Sequence, residues 1–337
     1  MTFPLSDHFN GKTFFNPGVQ IERSWRDLLR WKLNSQAAPW PQRVEMMPRR
    51  PPVPGAGEVV ATWINHSTFL LQTPRGNVIT DPIYSERCSP VSWAGPRRVH
   101  PPGVPFEALP RLDAVLLSHD HYDHCDLPTL QRLARREPQP RLLAPPGHAD
   151  LARSAGFRSE NIAELDWWQA QAIAPGFEVT FTPALHWSKR LGRPRNSRLW
   201  GGFFLKIAGV PAVHFVGDSG YHGALFHEIR ARLGPPGLAL VPIGAYEPRW
   251  FMAPQHCNPA EAVQIHRDLG ATISVAMHWG TFPLTDEARD EPPRGLAAAQ
   301  AAAGLEAGAF RVLTPGESLR MQLAGIARAA TNGLGHA

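Results

Sequence analysis

Cysteine and lysine are scarce in this chain. Its 337 residues hold three cysteines, Cys88, Cys125 and Cys257, far apart and with no Cys-x-x-Cys pair. That excludes a disulfide scaffold and a thiolate zinc finger, and points to a reducing compartment. Lysine occurs only at Lys12, Lys32, Lys189 and Lys206, so arginine carries the net charge of +5. No apolar run approaches the ~18 residues of a transmembrane helix. Residues 1–20 lack a basic segment followed by an apolar one, so no signal peptide is expected. The expected location is the cytoplasm, with at most a peripheral contact at the inner face of the membrane. The surplus residue is histidine, at 15. Any metal here is a matter for imidazoles and carboxylates.

Organisation changes near residue 55. Six prolines fall within residues 39–54, which marks residues 1–55 as an arm and Pro-rich linker wrapping the core. Within the arm, Ser24–Leu33 has helical spacing, with Trp25, Leu28, Leu29 and Trp31 near one face. Residues 56–325 read as the folded domain and 326–337 as a flexible tail. Strands are expected at Val59–Ile64, Thr68–Gln72, Asn77–Thr80, Ala114–Leu117, Phe177–Thr182, Phe203–Ile207, Ala212–Val216, Leu238–Pro242 and Ile273–Met277. Helices are expected at Leu127–Arg136, His222–Leu233, Pro259–Leu269 and Leu296–Gly304, with Asp126 and Asn258 as caps. Strand pairs followed by strand–helix units, twice over, suggest two sheets with helices outside.

The chemistry concentrates in Ser118-His119-Asp120-His121-Tyr122-Asp123-His124-Cys125-Asp126, between a short apolar strand and a capped helix. Residues two apart in an extended segment point the same way, so His119 and His121 can share one metal. Asp123 and His124, further along the turn, can face a second. Such ligands suit zinc-like ions. Isolated partners recur at the ends of later strands: His186, Asp218 and His278.

His-x-His-x-Asp-His after a strand, followed by a distant His, Asp and His, resembles the metallo-β-lactamase fold hydrolases. The resemblance implies an α+β four-layer αββα sandwich with two metals at one edge of the paired sheets. It implies that His119, His121 and His186 hold the first zinc, that Asp123, His124 and His278 hold the second, and that Asp218 bridges them. Iron or manganese are alternative metals. More closely, Thr62–Thr68, Thr80–Tyr84, Gly217–Tyr221, Pro242–Met252 and His278–Phe282 are similar to the N-acylphosphatidylethanolamine-hydrolysing phospholipase D family, the Gly244–Met252 string being the most specific. The implied reaction is phosphodiester hydrolysis by a hydroxide activated between the metals, with Asp123 orienting it and His256 as acid or substrate contact. Implied substrate contacts are Lys189 and Arg190 on phosphate, Tyr84, Ser85 and Tyr246 at the mouth, and Gln255 beside His256. Asp81 is expected to support a ligating histidine from behind. The implied partner is a phospholipid or other small phosphodiester, with a peripheral membrane contact and a homodimer as further expectations.

Two other activities fit the same ligands. A lactonase acting on a sugar or sugar-phosphate lactone would use the same activated water, and a metal-dependent nuclease would fit the basic pI of 9.4. No nucleic acid partner is expected, because there is no long Lys/Arg run and no added binding module. The string Gly217-Asp218-Ser219-Gly220 lacks the rest of a serine-protease context.

Overall fold

The computed structural model describes residues 3–19 and 23–323. The segment read as a tail, 326–337, lies outside the described residues. A short helix, α1 (Trp25–Asn34), forms in the arm where its spacing predicts one. Ser24 and Asp27 cap it reciprocally, each side chain accepting from the other's backbone N–H.

The first sheet is laid down in chain order: β1 (Glu58–Asn65), β2 (Thr68–Thr73), β3 (Gly76–Thr80), β4 (Ala114–Leu116), β5 (Arg141–Ala144) and β6 (Ile162–Glu164). The second follows in the same manner: β7 (Ala170–Ala174), β8 (Phe177–Thr182), β9 (Gly202–Ile207), β10 (Val213–Phe215), β11 (Leu238–Pro242), β12 (Ile273–Met277) and β13 (Phe310–Arg311). The chain then returns to the first sheet as β14 (Ser318–Gln322), antiparallel to β1. Both sheets begin antiparallel and become parallel, at β3–β4 in the first and β10–β11 in the second. Parallel neighbours need crossovers: a long loop, 81–113, joins β3 to β4, and helices α2 (Leu127–Ala134), α3 (Ala149–Ser154), α4 (Gly223–Leu233), α6 (Pro259–Leu269) and α7 (Glu291–Ala303) supply the others, with α5 (Arg249–Met252) a single turn.

The pleat of the first sheet explains the layers. Phe69, Leu71, Val78, Leu116 and Leu143 face the second sheet, whose Phe181, Phe203, Phe215 and Leu240 join the same core. Their neighbours Leu70, Ile79, Val115 and Leu142 face the other way, onto Leu130 and Leu133 of α2 and Ala152 of α3. Period-two alternation with both faces apolar makes a sheet buried on both sides. On the second sheet, Phe226 of α4, Val263 and Ile265 of α6 and Leu296 of α7 form the outer cover. The result is the expected αββα sandwich.

The sequence reading differs from the structure in short or weakly patterned pieces. β5, β6, β13 and α5 are two to four residues long, too short for a period to show. β7 is Ala-Gln-Ala-Ile-Ala, poor in β-branched and aromatic residues. β14 and α3 likewise carry no clear signal in the sequence, and α7 starts five residues before Leu296, with Pro292 in its first turn. Asn258 caps α6 as expected, in a reciprocal pair with Glu261. Asp126 does not cap α2 with its side chain. Its carboxylate instead accepts from Ser85 Oγ at 2.8 Å, from the Ser85 and Tyr84 N–H groups at 3.1 and 3.3 Å, and from Thr129 Oγ1.

Candidate metal centre

Each candidate ligand, with Asp81 and His66 beside it, sits just past a strand. The β1–β2 turn carries His66, β3 leads to Asp81, β4 to His119, His121, Asp123 and His124, β8 to His186, β10 to Asp218 and β12 to His278. Backbone crowding fixes two of these loops. Gly217 (φ +70°) has Gly201 O where a Cβ would stand, 2.4 Å away, and a Cβ on Gly244 would meet His278 O at 2.1 Å. Asp218 and His278 are therefore presented by turns that only glycine neighbours permit.

The outward hydrogen bonds fix the rings. Asp81 Oδ2 accepts from His124 Nδ1 at 2.6 Å and from Ser118 Oγ at 2.5 Å, and Asp81 Oδ1 accepts from the Ser118 N–H at 2.7 Å. Since Ser118 Oγ gives its proton to Asp81, it accepts from His119 Nδ1, 2.8 Å away. His186 Nδ1 donates to Gln255 O at 2.9 Å. Each of these three imidazoles spends its N–H outward and turns a bare Nε2 lone pair inward, as metal-bound histidines do.

The inward atoms converge. His121 Nδ1 lies 2.9 Å from His119 Nε2 and 3.2 Å from His186 Nε2. Asp218 Oδ2 lies 3.0 Å from His278 Nε2, 3.2 Å from His124 Nε2, 3.8 Å from His186 Nε2 and 4.0 Å from His119 Nε2. Asp123 Oδ2 is 3.4 Å from both His124 Nε2 and His278 Nε2. Ligand atoms of His119, His121 and His186 thus lie within 4.8 Å of one another, as do those of Asp123, His124 and His278 together with a ring nitrogen of His66. Asp218 stands between the two groups. His124 Nε2, His278 Nε2 and Asp218 Oδ1 are buried without a hydrogen-bond partner among the described residues. Lone pairs crowded this closely, beside two carboxylates, call for positive charge.

The electrostatics of the buried groups point the same way. Burial alone would raise the Asp123 and Asp218 carboxyls, yet the surrounding histidines hold both well below the usual range, with His124 foremost. Burial opposes charge on His278 too, but Asp218 and Asp123 raise it to about 9, and His124 is pushed up likewise. His119 and His186 are driven far down by burial. Two ionised carboxylates among imidazoles form a donor set that fits divalent zinc-like ions.

A cleft of about 290 Å³ opens onto these residues. His121, Asp123, Asp218, His256 and His278 form its floor, and Trp25, Leu28, Trp31, Trp187, Phe251, Met252 and Leu284 form much of its wall. The arm is therefore part of the site: Trp31 Nε1 donates to Asp286 Oδ1 at 3.1 Å, and Arg23 donates to the carbonyls of Trp250 and Phe251. Gln255 and His256 line the cleft, and His256 is held neutral by burial, its pKa lowered to about 3.

Other expected contacts stand elsewhere. Lys189 is exposed, its ammonium on Arg193 O. Arg190 is buried and donates to the carbonyls of Asp120 and Cys125 at 2.8 and 3.0 Å, with its guanidinium over the Tyr122 ring. It clamps the His119–Asp126 loop from behind. Tyr84 packs on Phe106, Ser85 holds Asp126, and Tyr246 donates to Glu291 Oε1 at 3.0 Å. None of these five lines the cleft. Ser219 is buried, its hydroxyl on Gly220 O. His66, in direct contact with Asp123, carries no role in the sequence reading; the only local signal is a histidine in a tight turn after an apolar strand.

A family profile described as "Beta-lactamase superfamily domain" matches residues 76–279. The chain is 39% identical over 230 residues to N-acyl-phosphatidylethanolamine-hydrolyzing phospholipase D 1 of Caenorhabditis elegans, covering 66% of this chain and 64% of that one. It is 34% identical over 242 residues to the mitochondrial N-acyl-phosphatidylethanolamine-hydrolyzing phospholipase D of Saccharomyces cerevisiae, covering 71% of this chain and 51% of the relative. The chain thus spans between half and two-thirds of the length of these relatives. Among solved structures, the metallo-beta-lactamase fold protein YhfI of Bacillus subtilis superposes with a TM-score of 0.54 at 18% identity, over 78% of this chain and 99% of that one.

Proposed function

The chain belongs to the beta-lactamase superfamily domain family, and we propose that it is a binuclear zinc hydrolase that cleaves a phosphodiester in a lipid-like substrate, in the manner of a phospholipase D. The observation that carries this reading is the apolar cleft ending on two adjoining sets of inward-facing ligand atoms. A small polar substrate gains nothing from walls of tryptophan, leucine and methionine, whereas an acyl chain gains about 0.8 kcal/mol per buried methylene.

His119, His121 and His186 would hold one ion, Asp123, His124 and His278 the other, and Asp218 both. When bound, such a pair supplies Lewis acidity for phosphoryl oxygens and lowers the pKa of a coordinated water. The chain's residues do the rest. Asp123, on the cleft floor, orients the attacking water. His256, neutral beside the same floor, offers a hydrogen bond at the leaving-group oxygen. Trp187, Phe251, Met252 and the α1 face hold the acyl portion and exclude bulk water. Arg190 keeps the ligand loop in place through its two carbonyl bonds.

The test is a substrate panel on zinc-loaded protein: N-acylphosphatidylethanolamine vesicles, bis(p-nitrophenyl) phosphate, lactones and single-stranded RNA. Release of phosphatidic acid and N-acylethanolamine is expected. Turnover of lactones or RNA without phosphodiester turnover on the vesicles rejects the reading. Removing metal with a chelator should abolish turnover, and zinc should restore it. Metal at 100 times its Kd adds about 2.7 kcal/mol to stability, so chelation should also lower Tm, which a thermal melt reads without any substrate.

The cleft wall has its own test. Leu28 is 46% exposed on α1 and lines the cleft. Leu28→Glu is expected to raise KM for vesicles at least about 10-fold, roughly the loss of one apolar side-chain contact. Hydrolysis of bis(p-nitrophenyl) phosphate should be unchanged. Equal loss on both substrates would separate α1 from acyl binding.

A further inference from the structure

His66 is held from every side, and its ring nitrogen lies within 4.8 Å of the ligand atoms of Asp123, His124 and His278, although it is not among the seven residues assigned above to the ions. Its backbone adopts φ +43°, a region that costs a non-glycine residue about 1–3 kcal/mol. The surroundings enforce that conformation. The His66 N–H donates to Thr281 Oγ1 at 2.9 Å, and its carbonyl accepts from Trp63 Nε1 at 2.8 Å and from the His278 N–H at 3.0 Å. The turn between two strands of the first sheet is thereby fastened to the His278 loop of the second.

The ring this strained turn presents is fully buried. It lies 4.0 Å from the His278 ring and meets Phe282 edge-on at 5.5 Å. Its Nε2 is 2.9 Å from Asp123 Oδ2, closer than either His124 or His278 comes to that oxygen. Nδ1 has no partner among the described residues, and the ring does not line the cleft. A side chain that touches no substrate space, and whose one polar contact is a carboxylate on the cleft floor, acts through that carboxylate.

We infer that His66 is a positioning residue: its Nε2–H donates to Asp123 Oδ2 and sets the rotation of that carboxylate toward the second ion and the attacking water. The inference rests on the metal reading above. Without the donor, Asp123 swings between His124 and His278, and one of its oxygens no longer faces the second set reliably. Removing such a support from a ligand costs about 10–100-fold in metal affinity or activity.

The experiment compares His66→Phe, which keeps the ring packing and loses the donor, with His66→Gln, whose amide nitrogen stands near the place of Nε2. Zinc and cobalt are titrated against a chromophoric chelator, and kcat and KM are read on bis(p-nitrophenyl) phosphate. In His66→Phe the second equivalent of metal should bind about 10–100-fold more weakly while the first is unaffected. The cobalt spectrum should change, and kcat should fall with KM nearly constant. His66→Gln should recover most of the loss. In the Asp123→Asn background, His66→Phe should add nothing. If His66→Phe fails to fold, His66→Asn, polar but too short to reach Asp123, carries the same comparison. Normal uptake of both equivalents by the variant, or losses that multiply with those of Asp123→Asn, overturns the inference while leaving the metal reading intact. A wild-type protein that takes up fewer than two equivalents overturns both.

Discussion

Asp218→Asn is expected to reduce turnover by more than about 100-fold, beyond the range of residues that merely support ligands, and to lower bound metal below two equivalents. The reason lies in one atom. Asp218 Oδ2 is within 4.0 Å of nitrogens on His119, His124, His186, His256 and His278, so both ligand sets meet there. The side chain is buried and held ionised by His124 and His278 against the pull of its burial. An amide of the same shape removes the charge, and its N–H group, if turned inward, meets histidine lone pairs with no room for a cation. Metal analysis together with kcat on bis(p-nitrophenyl) phosphate checks the result. Full activity with full metal would reject the bridging assignment.

Asp81→Ala should produce the largest loss of stability. Asp81 is completely buried at φ +33° and accepts three hydrogen bonds, from His124 Nδ1, Ser118 Oγ and the Ser118 N–H. Deleting it strands those donors in the interior, and breaking a buried charged network by removing one partner costs about 3–5 kcal/mol. A Tm lower by roughly 10 °C follows for a domain of this size. Two rings also lose their anchor, since His124 bonds Asp81 directly and His119 does so through Ser118. Metal affinity should fall a further 10–100-fold or so. A thermal melt of the metal-free variant against metal-free wild type separates the two effects. Equal melting of the metal-free forms would mean that Asp81 serves only the metal.

These two carboxylates illustrate what the sequence makes legible. Asp81 and Asp218 each follow a short apolar strand, so their position at a strand end can be read directly. The cluster from His119 to His124 is legible for a similar reason, being local. His66 is not, because nothing in a turn after β1 relates by spacing to a carboxylate 57 positions away. Arg190 shows the opposite failure. A guanidinium beside a ligand histidine reads as a phosphate fork, but the loop from Lys189 folds back so that it meets two backbone carbonyls first. The wall of the cleft was hidden for a third reason. Trp25, Leu28 and Trp31 belong to a segment separated from the domain by prolines, and only tertiary docking brings them over the site. In the fold, long apolar strands were legible, whereas β6 and β13 exist because neighbouring strands offer an edge to pair with.

The return of β14 to the first sheet imposes an order of events during synthesis. Val60 pairs with Arg320 and Thr62 with Ser318, so one border of the earliest sheet is supplied by residues made after the whole second sheet. Until then a nascent chain displays β1 as an open ladder of hydrogen-bonding groups, the kind of template that recruits other chains. Closure over so long a stretch of sequence is also slow. The strand that completes the first sheet therefore works as a latch thrown last.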